Sequence, residues 1–226
     1  MKKFMALLLV AGMTLSLTAC GGSTDTAKTD QADGKDTFTV GFDQDFPPFG
    51  YVGDDGEFTG FDIEMATECA ARMGKKIVLQ PIDWDAKDME LEAGTIDCIW
   101  NGFTMNGRED QYTWTDPYMD NSQVVVVKKD SGINTLADLA GKVVEVQKES
   151  AAETALNDEE HADLMASFAQ LLSVGEYNTA FMDLESGAVD AVAIDIGVAQ
   201  FQIEGKEDQY QILDETISSE QSYPEG

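Results

Sequence analysis

Two side chains, Arg108 and Asp195, stand where their types promise chemistry. Arg108 closes the polar run Asn101-Gly102-Phe103-Thr104-Met105-Asn106-Gly107-Arg108, and a guanidinium is the group suited to gripping a carboxylate through two parallel hydrogen bonds. Asp195 ends the apolar run "AVDAVAID", and an aspartate there is the natural partner of an ammonium. Thr104 and the backbone at Gly102 offer further polar contacts on the first side. On the second, Ser150 opens "SAAETAL" three residues before Glu153. That is capping-box spacing, and the free N–H groups of a helix start also favour an anion. A carboxylate grip and an ammonium grip together suit a zwitterion. Each charge-assisted hydrogen bond is worth about 1.5–3 kcal/mol net, so several would supply micromolar binding, about −8 kcal/mol.

Positioning such groups needs strand ends, and the sequence supplies them twice. "LEAGTIDCIWNG" at 91–102 is echoed by "LESGAVDAVAID" at 184–195. Each reads as a helix closed by a glycine and followed at once by a strand. Around the first copy, "TFTVGF" predicts a strand and "FDQDFPPFGYVGDDGEFTGF" a loop and hairpin turning at Asp54-Asp55-Gly56. Ile63, Ala66, Ala70 and Met73 recur at helical spacing before Gly74, "KIVLQPI" predicts a strand, and "DAKDMELEAG" a helix before the strand "TIDCIW". Around the second, "TLADLAG" predicts a short helix, "KVVEVQ" a strand, "ESAAETAL" a helix, "FAQLLSV" a strand, and "NTAFMDLESG" a helix before the strand "AVDAVAI". The order β-α-β-α-β, written twice, predicts two similar α/β lobes with mostly parallel sheets. Ligands of open α/β sheets bind outside the carboxyl ends of the strands. Those ends are 42–46, 101–108, 147–152 and Asp195, which would line one cleft if the lobes face each other.

Composition excludes more than it names. The 226 residues carry a formal net charge of −29, which argues against binding nucleic acid or anionic lipid. The one histidine, His161, sits in "DEEHAD". No Cys/His cluster suggests a metal site, and no nucleophile elbow, phosphate loop or HExxH motif appears. Cys69 and Cys98 lie in apolar periodic segments, where free thiols are expected more often than a bridge. Residues 1–19 have a basic start and an apolar stretch too short to span a membrane comfortably, as in a signal peptide. They lead into "LTAC", which resembles the acylation site of bacterial lipoproteins. The resemblance implies a lipid (diacylglyceryl, palmitate) on Cys20. Residues 20–36 read as a flexible tether.

The segments "VGFDQDFPPFGYVGDDGEFTGFDIEMA", "DWDAKDMELEAGTIDCIWNGFTMNGRED", "WTDPYMDNSQVVVV", "LAGKVVEVQKESAAETAL" and "GAVDAVAID" together resemble the extracellular solute-binding proteins of polar amino-acid ABC transporters. The resemblance implies a two-lobed periplasmic-binding-protein-like (type II) fold that closes on its ligand as a hinge. Lobe 1 would span 37–123, lobe 2 124–216, and a return segment 217–226. It implies a free amino acid as ligand, polar or basic and including cystine. ABC permease subunits would be the protein partners of a monomer anchored at the outer face of the membrane or in the periplasm. No cofactor, metal or catalysis is implied. Carried over by position, Asp43 meets the ligand's side chain or ammonium, and Phe46 forms an aromatic wall. Asn101, Gly102 and Thr104 meet its main-chain polar groups, Arg108 its carboxylate, Ser150 and Ala151 add contacts, and Asp195 holds the ammonium. A core role for Phe46 and a loop-capping role for Asp43 remain the alternatives.

Three departures from the family pattern stand out. "TMNGR" is one residue shorter, Glu149 and Ala152 replace a frequent glycine and polar residue, and the return strand and last helix are not found after "LDETISSEQ". The last departure implies a first lobe without its closing strand and helix, with apolar surface left uncovered. The rival readings are a shortened remnant that binds nothing and a lyase on the same fold, resembling cyclohexadienyl dehydratases.

Overall fold

The computed structural model describes residues 36–224. The expected signal peptide over 1–19, the acylation of Cys20, and all of the tether but its last residue lie outside the described residues.

The first lobe opens with β1 (Thr37–Phe42). A small antiparallel ribbon follows, formed by β2 (Asp45–Phe46), β3 (Gly50–Val52) and β4 (Phe58–Thr59), and then come α1 (Phe61–Arg72), β5 (Lys76–Pro81), α2 (Lys87–Ala93) and β6 (Cys98–Ile99). β5 and β6 flank β1, both parallel to it. The expected hairpin turns between β3 and β4, where Gly56 takes φ 82°. Helix α1 buries Ile63, Ala66 and Ala70, the spacing of one helical face. Met73, expected on the same stripe, is 46% exposed because the helix has ended there and Gly74 turns away at φ 68°. The expected strand "TIDCIW" shortens to Cys98–Ile99, paired with β1 at Val40 and Gly41 alone. Beside this sheet an apolar groove is lined by Phe38, Cys69, Met73, Leu91, Cys98 and Trp100; Cys69 is a free thiol.

The second lobe follows β7 (Met119–Lys128), with β8 (Val143–Gln147), α3 (Ala151–Asn157), α4 (Ala162–Ser167), β9 (Gln170–Val174), α5 (Tyr177–Ser186), β10 (Ala191–Asp195), α6 (Ile196–Ile203), β11 (Tyr210–Ile212) and β12 (Ser218–Tyr223). The sheet runs β11-β7-β10-β8-β9, with β12 paired to the other stretch of β7. β8, β9 and β10 are parallel, as expected, whereas β7 runs antiparallel to β10, β11 and β12. The expectation of a mostly parallel sheet is corrected here. β7 enters this lobe directly from the first one, not through a helical crossover, so no βαβ unit fixes its direction. "TLADLAG" forms one 3₁₀ turn, Leu136–Leu139, closed by a Thr135/Asp138 capping box.

The run Val124–Val127 shows why β7 is central. Val124 and Val126 enter the core shared with α5 and α6, while Val125 and Val127 enter the core on the α3 side. A strand covered on both faces has no polar side to alternate with, hence four consecutive valines. β10 divides likewise, Val192 and Ile194 to one core and Ala191 and Ala193 to the other.

The echoed phrase has one structural meaning in both lobes. Gly94 and Gly187 close α2 and α5 in the left-handed region, at φ 68° and 80°, where a β-carbon is disfavoured. Three residues on, Asp97 and Asp190 do the same work. The Asp97 N–H donates to the Thr39 carbonyl at 2.7 Å, and its carboxylate accepts from the Thr39 N–H at 2.8 Å. Asp190 makes the same pair of bonds with Val143, both at 2.9 Å. The aspartate thus stitches each new strand to its neighbour at the entry point and satisfies backbone groups that the ladder has not yet reached.

Candidate functional site

Four strand ends converge. β1 delivers Asp43, and β6 leads into Asn101, Gly102, Thr104 and Arg108. β8 leads to Gln147 and Ser150, and β10 ends on Asp195. A narrow pocket is lined by Phe46, Asn101, Gly102, Thr104, Arg108, Ser150, Ala151 and Asp195, together with Trp84, Phe103 and Gln147. Every site residue expected from the sequence except Asp43 therefore faces this one space. Asp43 sits beside it, its Oδ2 accepting from Gln147 Nε2 at 2.6 Å.

Arg108 is 8% exposed and has no carboxylate within ion-pair distance among the described residues. Its Nη1 donates to the Thr104 carbonyl at 3.1 Å, and its Nη2 to the Glu149 carbonyl at 3.1 Å and to Thr154 Oγ1 at 3.3 Å. Its guanidinium carbon lies 5.3 Å from the Phe103 ring centroid. Burial lowers its pKa, with the field of Tyr112 and Asp195 opposing, yet a guanidinium stays charged. Asp195 is the matching opposite: 3% exposed, with no cation beside it among the described residues. Its Oδ1 accepts from Asn121 Nδ2 at 2.6 Å, Gln123 Nε2 at 2.7 Å and Tyr223 Oη at 2.7 Å. Burial pushes its pKa up and those three donors pull it down.

Asp43 is 4% exposed. Its Oδ1 accepts from the Asp45 N–H at 2.8 Å, and its own N–H donates to Asn101 Oδ1 at 2.9 Å. Burial raises its pKa to about 6, against the pull of the Asp45 and Gln147 hydrogen bonds. It borders a wider acidic opening that also gathers Asp45, Asp83, Asp85 and Glu176, with Trp84 lining this opening and the narrow pocket alike. Phe46 does both things weighed for it. It packs against Phe49 and Tyr177 in the core, with centroids 5.7 and 6.1 Å away, and still faces the pocket. Ser150 caps α3, its Oγ accepting from the Glu153 N–H at 3.1 Å. The reciprocal half of the expected capping box is displaced by one residue, since the Glu153 carboxylate takes the Glu149 N–H at 2.6 Å.

The lobes are clasped across the cleft. Lys87 Nζ meets Glu149 at 2.9 Å, Lys148 Nζ meets Asp85 at 2.6 Å, and Asn178 bonds Asp45. Glu149 sits at φ 58°, the one non-glycine residue with positive φ among those described. The left-handed region explains why glycine suits this position. Here the glutamate adds a side-chain clasp to a carbonyl that already holds Arg108.

Sequence reasoning missed Asn121, Gln123, Tyr223 and Trp84. Asn121 and Gln123 did leave a trace, as two polar residues at spacing two running straight into four valines, which puts both on one face of β7. Tyr223 left none, because its role depends on where β12 pairs.

The chain belongs to the bacterial extracellular solute-binding proteins, family 3, whose family model matches residues 38–179. It is 36% identical over 148 residues to the arginine-binding extracellular protein ArtP of Bacillus subtilis (strain 168), covering 65% of this chain and 56% of ArtP. It is 30% identical over 221 residues to the L-cystine-binding protein TcyJ of Escherichia coli (strain K12), covering 96% of this chain and 79% of TcyJ. The chain thus spans little more than half of one relative and four fifths of the other. An ABC uptake transporter substrate binding protein from Streptococcus pneumoniae with bound histidine superposes with a TM-score of 0.77 at 34% identity, covering 84% of this chain and 79% of that one. An arginine-bound Gly52Ala mutant of ArgBP from T. maritima gives 0.75 at 30%, covering 84% and 86%. The fold is the two-lobed type II arrangement of periplasmic amino-acid-binding proteins.

Proposed function

We propose that this protein captures a free amino acid outside the cell and delivers it to the permease of an ABC transporter. The observation that carries the reading is a pair of buried, opposite and unneutralised charges, Arg108 and Asp195, lining one narrow pocket. A lone buried charge is costly, and a zwitterion resolves both at once: its carboxylate on the guanidinium, its ammonium on the aspartate. Asn101, Gly102 and Thr104 meet the main-chain polar groups from the first lobe, Ser150 and Ala151 from the second. Phe46 forms a wall, and Asp43 faces the ligand's side chain or its ammonium. The buried Asp43 carboxylate and the acidic opening beyond it favour a polar or basic side chain, cystine included. The names of the relatives, which speak of arginine, cystine and histidine, support the same range. The protein acts as a lipid-anchored monomer held through Cys20, its lobes 37–123 and 124–216 closing on the ligand.

A thermal-shift screen of the twenty amino acids plus cystine tests this. A ligand that binds only the folded state at 100 times its dissociation constant adds about 2.7 kcal/mol. At least one polar or basic member is expected to raise the melting temperature by several degrees. No shift with any of them would sink the proposal.

A further inference from the structure

The pocket contains an arrangement that amino-acid capture alone does not require. All three side-chain donors to Asp195 converge on a single oxygen, Oδ1; Oδ2 accepts from no described side chain. The donors come from the two strands that pass between the lobes. Gln123 is the direct cross-strand neighbour of Asp195, and Asn121 lies two residues earlier on the same face of β7. Tyr223 belongs to β12, whose end is tied to the first lobe by bonds from the Met105 N–H to the Ser222 carbonyl (3.1 Å) and from the Ser222 N–H to Asn106 Oδ1 (3.0 Å). Asn121 Nδ2 also lies 3.3 Å from Thr104 Oγ1, on the opposite wall.

Tyr223 is held firmly behind Gly102 and Asp195, two residues that line the pocket. It is 1% exposed, meets Phe49 edge-on at 5.4 Å, and lies against Gly102, where an added β-carbon would stand 3.1 Å from its ring. A carboxylate bound through one oxygen by three donors has a fixed plane, and its second oxygen has a fixed direction.

We propose that Asn121, Gln123 and Tyr223 are positioning residues: they lock Asp195 through Oδ1 and so aim Oδ2 at the ligand's α-ammonium, with Tyr223 tying that aim to the strand joined to the first lobe. This rests on the amino-acid reading for its ligand arm, while the locking of Asp195 stands on the protein alone.

Tyr223→Phe removes one donor and keeps the ring that fills the space. The first arm measures, by calorimetry, the affinities of L-arginine and of its deamino analogue 5-guanidinopentanoate for the full chain. The variant is expected to bind L-arginine about tenfold more weakly, the loss of one hydrogen bond to a charged group, and to bind the analogue within about twofold of the unaltered protein. Equal weakening of both ligands would mean only a structural role and would overturn the proposal. The second arm needs no ligand. It follows the carbon-13 signal of the Asp195 carboxyl against pH in both proteins, in the shared field of Arg108 and Tyr177. With one stabilising donor gone, Asp195 is expected to titrate at higher pH in the variant; identical titration would contradict the locking. If the unaltered protein binds no amino acid while the second arm succeeds, the functional reading fails and the positioning stands.

Discussion

Asp43 keeps a proton to about pH 6 in the folded protein because burial disfavours its charged form. An unfolded aspartate releases it near pH 3.8. Between those values the folded state binds more protons than the unfolded one, so stability falls as pH rises through that window. The stability that the neutral form contributes is fully present below pH 3.8 and gone above about 6. Two pH units correspond to about 3 kcal/mol. Asp43→Asn cannot charge, so the stability of the variant relative to the unaltered protein should rise by about 2 kcal/mol between pH 4 and pH 7. Urea denaturation at the two pH values checks this, and a difference that does not change with pH would contradict it.

At the scale of elements, glycines decide where helices begin and end. Gly60 precedes α1 at φ 129°, and a β-carbon there would lie 2.2 Å from the Phe49 carbonyl oxygen. Backbone cannot yield as a side-chain tip can. Gly60→Ala is therefore expected to cost about 3 kcal/mol or more, read as a lower denaturation midpoint; unchanged stability would show that the β3–β4 ribbon gives way easily. Periodicity and glycine caps made much of this architecture legible, including both copies of helix, glycine and strand. The strand ends pointed to Arg108 and Asp195, which the structure brings into one pocket because both follow from the topology. What stayed hidden depends on pairing partners. The antiparallel course of β7, the short strand β12 and the convergence of Asn121, Gln123 and Tyr223 on Asp195 are set by contacts between residues up to 104 positions apart, and no local pattern encodes those. Glu149 was visible as a departure from glycine, but its bond to Lys87 across the cleft was not.

For the whole molecule, two lobes share one logic: each offers strand ends to a common cleft, the first bringing Arg108 and Asp43 and the second Asp195. The surrounding field is strongly acidic, with a formal net charge of −29, and it steers cationic and zwitterionic solutes at low salt while fading within about 10 Å at 0.1 M ionic strength. The clasping pair Lys148–Asp85 is half-exposed and adds little by itself. In the proposed function, the energy of closure comes mainly from groups buried in the cleft, and so from a ligand that answers both Arg108 and Asp195. Calorimetry with one amino acid in three forms tests this most directly: free L-arginine, N-acetyl-L-arginine and L-argininamide. The account predicts micromolar or tighter binding of the free form and a loss of at least about a hundredfold for each blocked form, since each leaves one buried charge unanswered. Binding of either blocked form as tight as that of free L-arginine would contradict the division of the two charges between the lobes.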